Sequence, residues 1–185
     1  MKSNSFWSDA SRCGAVVGAV NVLTSLIGML LPSIAFVSGL VNFVTTVYLL
    51  FYFTRKRANL FVEEGFTYSQ SLGFIVASAL FVGVVCAVYQ ILASNFLFTE
   101  QMEQTLSTTI AELQKTGVYQ GDMIKQMASM MRSYMFNPIS ILWSQILSNV
   151  LYLGFLGLFI SVGTKREPML FEIQEPEQSD ESEEE

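Results

Sequence analysis

The sequence predicts an all-α membrane protein with four transmembrane helices, an extracytoplasmic helical hairpin between helices three and four, and a disordered acidic C-terminal tail. Long stretches of the 185-residue chain contain no Asp, Glu, Lys or Arg. A hydrocarbon core of about 30 Å is crossed by about 20 apolar helical residues, and each stretch is at least that long. The uncharged stretches are Cys13 to Thr54, Phe66 to Thr99, and Ser133 to Thr164.

The first uncharged stretch is long enough for two spans, and Pro32 divides it. Proline cannot continue a helix without losing a backbone hydrogen bond and clashing with the preceding turn. We therefore expect spans at about 13–31 and 34–53, joined by a tight uncharged turn. Two helices joined so closely should form an antiparallel pair.

The other two stretches predict one span each, at about 71–97 and 139–162. Helices are favoured over a transmembrane barrel because barrel strands alternate apolar and polar residues over about 10 positions, whereas these runs are continuously apolar. The sequence thus predicts a four-helix transmembrane domain over 1–166 and a separate tail over 167–185.

The distribution of basic residues predicts the orientation of the bundle. An even number of spans places seven of the ten Lys and Arg residues on one side, and this side should be cytoplasmic. The remaining three, Lys115, Lys125 and Arg132, lie in the loop between the third and fourth spans. Both termini are therefore expected in the cytoplasm.

The alternative of a cleaved signal peptide is disfavoured, because the first apolar run exceeds the 7–15 residues of such a segment and continues into a second apolar helix.

The loop over 99–137 is long enough to fold, and its apolar residues recur at helical spacing on both sides of Gly117. In the second half, Met123, Met127 and Met130 follow one helical stripe. They are interpreted as packing residues or as a partner-docking surface. Thioether sulfur is also a ligand for copper(I), but the chain has no histidine, and no metal site is predicted.

Polar residues inside the predicted spans are amides and hydroxyls, so we expect no charged group to be buried within these spans. Gln145, Ser148 and Asn149 lie together on the fourth span, where hydrogen bonds to neighbouring helices would explain them. Gly14 and Gly18 form a GxxxG step in the first span. This spacing favours close helix packing, either within the chain or between two copies.

The segment from Glu167 to Glu185 carries nine acidic residues and no basic one. A segment with so much charge and so few apolar residues is typical of a disordered, solvated tail. Met169, Leu170, Phe171 and Ile173 offer an alternative interpretation of part of it as a docking motif.

The chain resembles a family of small bacterial inner-membrane proteins known as domain of unknown function 4199. The resemblance covers almost the whole chain and implies four helices and a bacterial inner membrane, but no activity and no site residues. Its motifs are Phe6-Trp7, Phe53-Thr54-Arg55, Gly65-Phe66-Thr67-Tyr68-Ser69-Gln70, Gly73-Phe74, Asn137-Pro138, Gly157-Leu158-Phe159-Ile160-Ser161, and Thr164-Lys165-Arg166-Glu167-Pro168.

These observations favour a non-enzymatic scaffold or accessory subunit of the bacterial inner membrane. No residues suggest a nucleophile with its base, a pair of catalytic acids or a ligand cluster, so neither an enzymatic activity nor a cofactor is expected. The expected partners are the lipid bilayer and either another membrane protein or further copies of the chain, without nucleic acid. The alternative is a small oligomeric transporter or channel for uncharged or weakly charged solutes, with a path along Gln145, Ser148 and Asn149.

Overall fold

The computed structural model describes residues 3–61, 65–115, 117 and 121–166, without the side chains of residues 3–5 and 32. The described chain is built from six α-helices. They are α1 (Ser3–Leu30), α2 (Ala35–Ala58), α3 (Tyr68–Leu92), α4 (Thr99–Lys115), α5 (Asp122–Phe136) and α6 (Pro138–Thr164). The acidic tail and its docking motif lie outside the described residues.

Four of these helices, α1, α2, α3 and α6, are long and apolar enough to cross a membrane. This confirms the prediction of an all-helical fold with four candidate spans. The break at Pro32 is also present, as a short 3₁₀ turn over Pro32–Ile34 between α1 and α2. The helices reach beyond the predicted spans, however. Helix α2 continues through its basic triplet to Ala58 because Lys and Arg end an apolar run without ending a helix.

Helix α3 is the centre of the bundle and packs against α1 on one side and α6 on the other, while α2 packs mainly on α1. Two glycines mark the closest crossings. A Cβ atom at Gly14 would lie 2.7 Å from the Ser78 carbonyl oxygen of α3, and one at Gly83 would lie 2.6 Å from the Ile146 Cα of α6. Neither site has room for a larger residue, so the missing side chains allow the helices to approach closely.

Four helix ends lie together at one end of the bundle: the start of α1, the end of α2, the start of α3 and the end of α6. Phe66 and Arg166 pair through two backbone hydrogen bonds of 2.9 and 2.8 Å. Nearby, the Ser71 and Thr164 hydroxyls lie 2.7 Å apart in a buried contact between α3 and α6. We call this end of the bundle the basic end, because it carries the basic triplet of α2.

Helices α4 and α5 lie between α3 and α6 in the chain and pack on each other. Leu106 of α4 and Ile124 of α5 are buried, and Arg132 forms an ion pair with Glu103 across the two helices. Helix α4 ends just before Gly117, whose φ of +69° is a conformation that favours glycine. A π-helical turn over Ala93–Leu97 links α3 to this pair.

Candidate functional site

Arg57 is the most buried charged residue in the described part of the chain, with 7% of its surface exposed. Its Nη1 atom donates a hydrogen bond of 2.7 Å to Oδ2 of Asp9 on α1. The guanidinium carbon lies 4.9 Å from the ring centre of Phe6, 5.4 Å from that of Phe74 and 5.5 Å from that of Phe61. We call these five residues the Arg57 cage. It combines an ion pair with cation–π contacts, which are stronger away from water.

The Arg57 cage is a buried charge that the sequence analysis, which considered only the predicted spans, did not anticipate. Arg57 lies beyond the predicted second span, but α2 continues as a helix and turns it toward α1, while Arg55 and Lys56 stay exposed. A small cavity of about 100 Å³ lies beside the cage. Its lining residues are Asp9, Arg12, Phe53, Lys56, Arg57, Leu60 and Phe74.

A second feature lies between α1 and α2, in the half of the pair nearer the Pro32 turn. It is a groove of about 250 Å³ lined only by small and polar residues, and we call it the interhelical groove. Its lining residues are Asn21, Thr24, Ser25, Gly28, Ala35, Ser38, Gly39 and Asn42. A Cβ atom at Gly39 would have no neighbour within 4 Å, so the groove is open at this point.

The amides of the interhelical groove are not equally satisfied. Asn21 Oδ1 accepts a hydrogen bond of 3.1 Å from the buried Thr46 hydroxyl. Asn42 Oδ1 is also buried but accepts none from the residues that the structure describes. Asn42 is seven residues into α2, which places it about 10 Å from the start of the helix. Burying an amide oxygen without a hydrogen bond is costly.

The structure places Gly14 and Gly18 against α3 of the same chain. A Cβ atom at Gly18 would come within 2.8 Å of the Val85 Cβ, and Gly14 packs on Ser78 and Phe81. The GxxxG step is therefore covered inside the bundle, which fits its interpretation as within-chain packing and leaves little of it for a second copy.

The polar residues of the fourth span were expected to form hydrogen bonds to neighbouring helices, but the structure places their contacts within α6. Asn149 Nδ2 donates to the Gln145 backbone oxygen at 2.8 Å and lies 3.4 Å from its Oε1, so both contacts stay within α6. The described residues show no side-chain hydrogen bond from this pair to another helix. Ser148 is exposed beside them. Gln145 still contributes to packing through its backbone oxygen, which lies next to Gly83.

The methionines of α5 do not share one environment. Met123 and Met130 are exposed, by 56% and 64%, whereas Met127 is half-buried. The covered face of α5 centres on Ile124. The two exposed thioethers thus leave an apolar patch on the outside of the α4–α5 pair.

Sequence reasoning missed the Arg57 cage and the Gly83 crossing. The signal for the first was present: Asp9 is the only acidic residue ahead of the first span, and a basic triplet follows the second. In an antiparallel pair these two segments meet, so an ion pair could have been expected. No comparable signal marked Gly83, because glycine is frequent in transmembrane helices.

The comparisons with known proteins concern the whole bundle. A family described as "Protein of unknown function (DUF4199)" matches residues 12–166, which include α2, α3 and α6 and all of α1 from Arg12 onward. No curated protein matches, and no solved structure matches.

Proposed function

Because the chain belongs to the family described as "Protein of unknown function (DUF4199)", whose description names no activity, we propose a function from the site itself. The protein is a non-enzymatic scaffold or accessory subunit, and its interhelical groove receives a transmembrane helix of another membrane protein. The observation that carries this proposal is the open groove of small and polar residues between α1 and α2, where a Cβ atom at Gly39 would meet nothing within 4 Å.

Three properties of the groove support a helix as its occupant. Gly, Ala and Ser allow two helix backbones to approach closely, which is the main source of helix association in lipid. The amides and hydroxyls offer hydrogen-bond partners that acyl chains cannot use. Two concave grooves meeting about a two-fold axis would leave a void between them, so a partner helix fits better than the same groove of a second copy.

The proposed location is the bacterial inner membrane, with both termini in the cytoplasm. The charge asymmetry supports this orientation, since seven of the ten basic residues belong to the two terminal segments of the chain and the last turn of α2. The α4–α5 pair would then lie outside the cytoplasm, where exposed Met123 and Met130 could provide a second contact for the partner.

The proposal is tested by site-specific photo-crosslinking in native membranes. A photoreactive side chain at Gly39 lies in the groove, whereas the same group at Val44 lies on the opposite face of α2 and is the matched control. We expect a discrete adduct from the Gly39 position alone. Mass spectrometry should identify the crosslinked partner as the same membrane protein in replicate preparations. The variant Gly39→Leu adds a side chain where a Cβ atom would meet nothing within 4 Å, and it should abolish partner co-purification, while Val44→Leu should not. The proposal would be contradicted if both positions formed crosslinks to lipid and neither formed one to a protein.

A further inference from the structure

A third concave surface lies at the basic end, on the face of α2 that turns away from α1. It has a volume of about 420 Å³, and we call it the basic groove. Its lining residues are Tyr48, Phe51, Tyr52, Arg55, Lys56 and Asn59. All six come from α2 and the turn that follows it, and they repeat at helical spacing over the last three turns.

The two cations of the basic groove lie on the surface of the bundle. Arg55 and Lys56 are both exposed, and within the described residues neither forms an ion pair. This contrasts with Arg57, the third member of the same triplet, whose charge is matched by Asp9. The Arg55 guanidinium lies 5.9 Å from the Phe51 ring centre, a contact that holds the side chain toward the groove. Two exposed positive charges favour an anionic ligand.

The tyrosines lie deeper in the membrane than the cations. Tyr48 and Tyr52 are stacked, with ring centres 6.4 Å apart and planes inclined by 20°. They are 65% and 50% exposed. One helical turn, about 5.4 Å, separates Tyr52 from Lys56 along the axis. Tyrosine side chains favour the depth of the ester and glycerol groups, where an apolar ring and a polar hydroxyl are both satisfied.

Below the tyrosines the same side of α2 is apolar and uncovered. Val44 and Val41 are 59% and 52% exposed, and they precede Tyr48 by one and two turns. From the bundle centre outward, this face therefore presents valines, then tyrosines, then cations. The order matches that of a phospholipid, with acyl chains, glycerol and phosphate. A free phosphate ion would use only the last of these three layers.

We propose that the basic groove binds an anionic phospholipid, whose phosphate contacts Arg55 and Lys56 while Tyr48 and Tyr52 flank its glycerol. The Asn59 amide adds a neutral donor at headgroup depth. This site is separate from the interhelical groove, so its occupancy does not depend on the proposed partner.

The test measures lipid binding to the full chain purified in detergent, by native mass spectrometry with added phosphatidylglycerol or phosphatidylcholine. We expect phosphatidylglycerol to bind at least tenfold more tightly. Each cation near a membrane surface contributes about fivefold to the affinity for anionic lipid, so the double variant Arg55→Gln/Lys56→Gln should weaken phosphatidylglycerol binding about 25-fold. The variant Lys165→Gln/Arg166→Gln removes two positive charges from the same end outside the groove and should change binding less than about fivefold.

Two further variants separate charge from shape. The exchange Arg55→Lys/Lys56→Arg keeps both charges and should retain binding within a few-fold, whereas Tyr48→Leu/Tyr52→Leu keeps the charges and should weaken it. Equal loss in the two charge-removing variants would overturn the proposal, since it would show only a diffuse electrostatic attraction. Equal affinity for both lipids would also overturn it. The Tm is also measured with inorganic phosphate alone. If phosphate raised the Tm as much as the lipid does, the groove would be a site for a free anion instead.

Discussion

The guanidinium of Arg57 lies 2.7 Å from the carboxylate of Asp9 and joins the end of α2 to the beginning of α1. The arginine side chain is 8% exposed and the aspartate side chain 32%, so the pair sits at the edge of the bundle interior. Three aromatic rings surround the cation, which limits the access of water. This contact fixes the end of the α1–α2 pair that is opposite the Pro32 turn.

The first prediction concerns this ion pair. Breaking a buried pair by removing one partner typically costs about 3–5 kcal/mol, and the partial exposure of Asp9 should reduce this to about 2–3 kcal/mol. We expect Asp9→Asn and Arg57→Gln each to lower the Tm in detergent, and the double variant to lower it by less than their sum. Lys165→Gln is the control, because Lys165 is exposed at the same end of the bundle and has no acidic partner among the described residues. Additive losses would show that the two side chains act independently.

The second prediction concerns the crossing of α3 and α6. An alanine at Gly83 would bring its Cβ to 2.6 Å from the Ile146 Cα, and backbone atoms cannot move aside as a side chain can. Gly83→Ala should therefore destabilise the protein by about 1–3 kcal/mol. Gly73→Ala is the matched control in the same helix, because its Cβ would meet nothing within 4 Å. We expect the Tm of this control to stay constant or rise slightly; an equal fall in both variants would contradict the packing argument.

The apolar stretches and Pro32 were enough to predict the four candidate spans and the turn between the first two, because both depend on local composition. The Arg57 cage depends on helix length and rotation as well as on local composition. It requires α2 to continue past its apolar run, so that the rotation of the helix turns Arg57 toward α1 and leaves Arg55 and Lys56 outside. Helix phase beyond the end of an apolar run cannot be read from composition.

The interhelical groove also could not be predicted from the sequence. Asn21 and Asn42 were both recognisable as amides within spans, but nothing local shows that one is bonded to Thr46 while the other has an unpaired oxygen. That difference depends on the register of α1 against α2. In the same way, the spacing of Gln145 and Asn149 suggested contacts between helices, yet the structure pairs them within α6.

The third prediction tests the proposed orientation. Single cysteines at Gln114 and Asn59, both exposed, lie on α4 and just after α2. In a chain whose native Cys13 and Cys86 are replaced by serine, a membrane-impermeant thiol reagent should label the Gln114→Cys protein in intact cells. Labelling of Asn59→Cys should require permeabilised cells. The opposite pattern would reverse the orientation and place the acidic segment outside.

The fourth prediction concerns the methionines of α5. Replacing Met123, Met127 and Met130 with leucine keeps their volume and apolarity, so the Tm and partner co-purification should be largely retained. Replacing exposed Met123 and Met130 with glutamate should leave the fold intact but disrupt a docked partner. Copper sensitivity of cells carrying the leucine variant at wild-type protein levels would instead support a thioether metal site.

The last prediction separates the scaffold from the transporter alternative through the α6 amides. The shorter hydrogen bond from Asn149 Nδ2 goes to the Gln145 backbone oxygen, which keeps its own helical hydrogen bond when both amides are replaced with leucine. The change therefore leaves no backbone group unpaired, and we expect the free energy of unfolding to change by less than about 1 kcal/mol. The same proteins are then compared in liposomes for flux of small neutral solutes and monovalent ions. A scaffold should show no flux in either form. Robust wild-type flux that disappears in the double variant, at an unchanged Tm, would place a permeation path along this face of α6 and overturn the scaffold proposal.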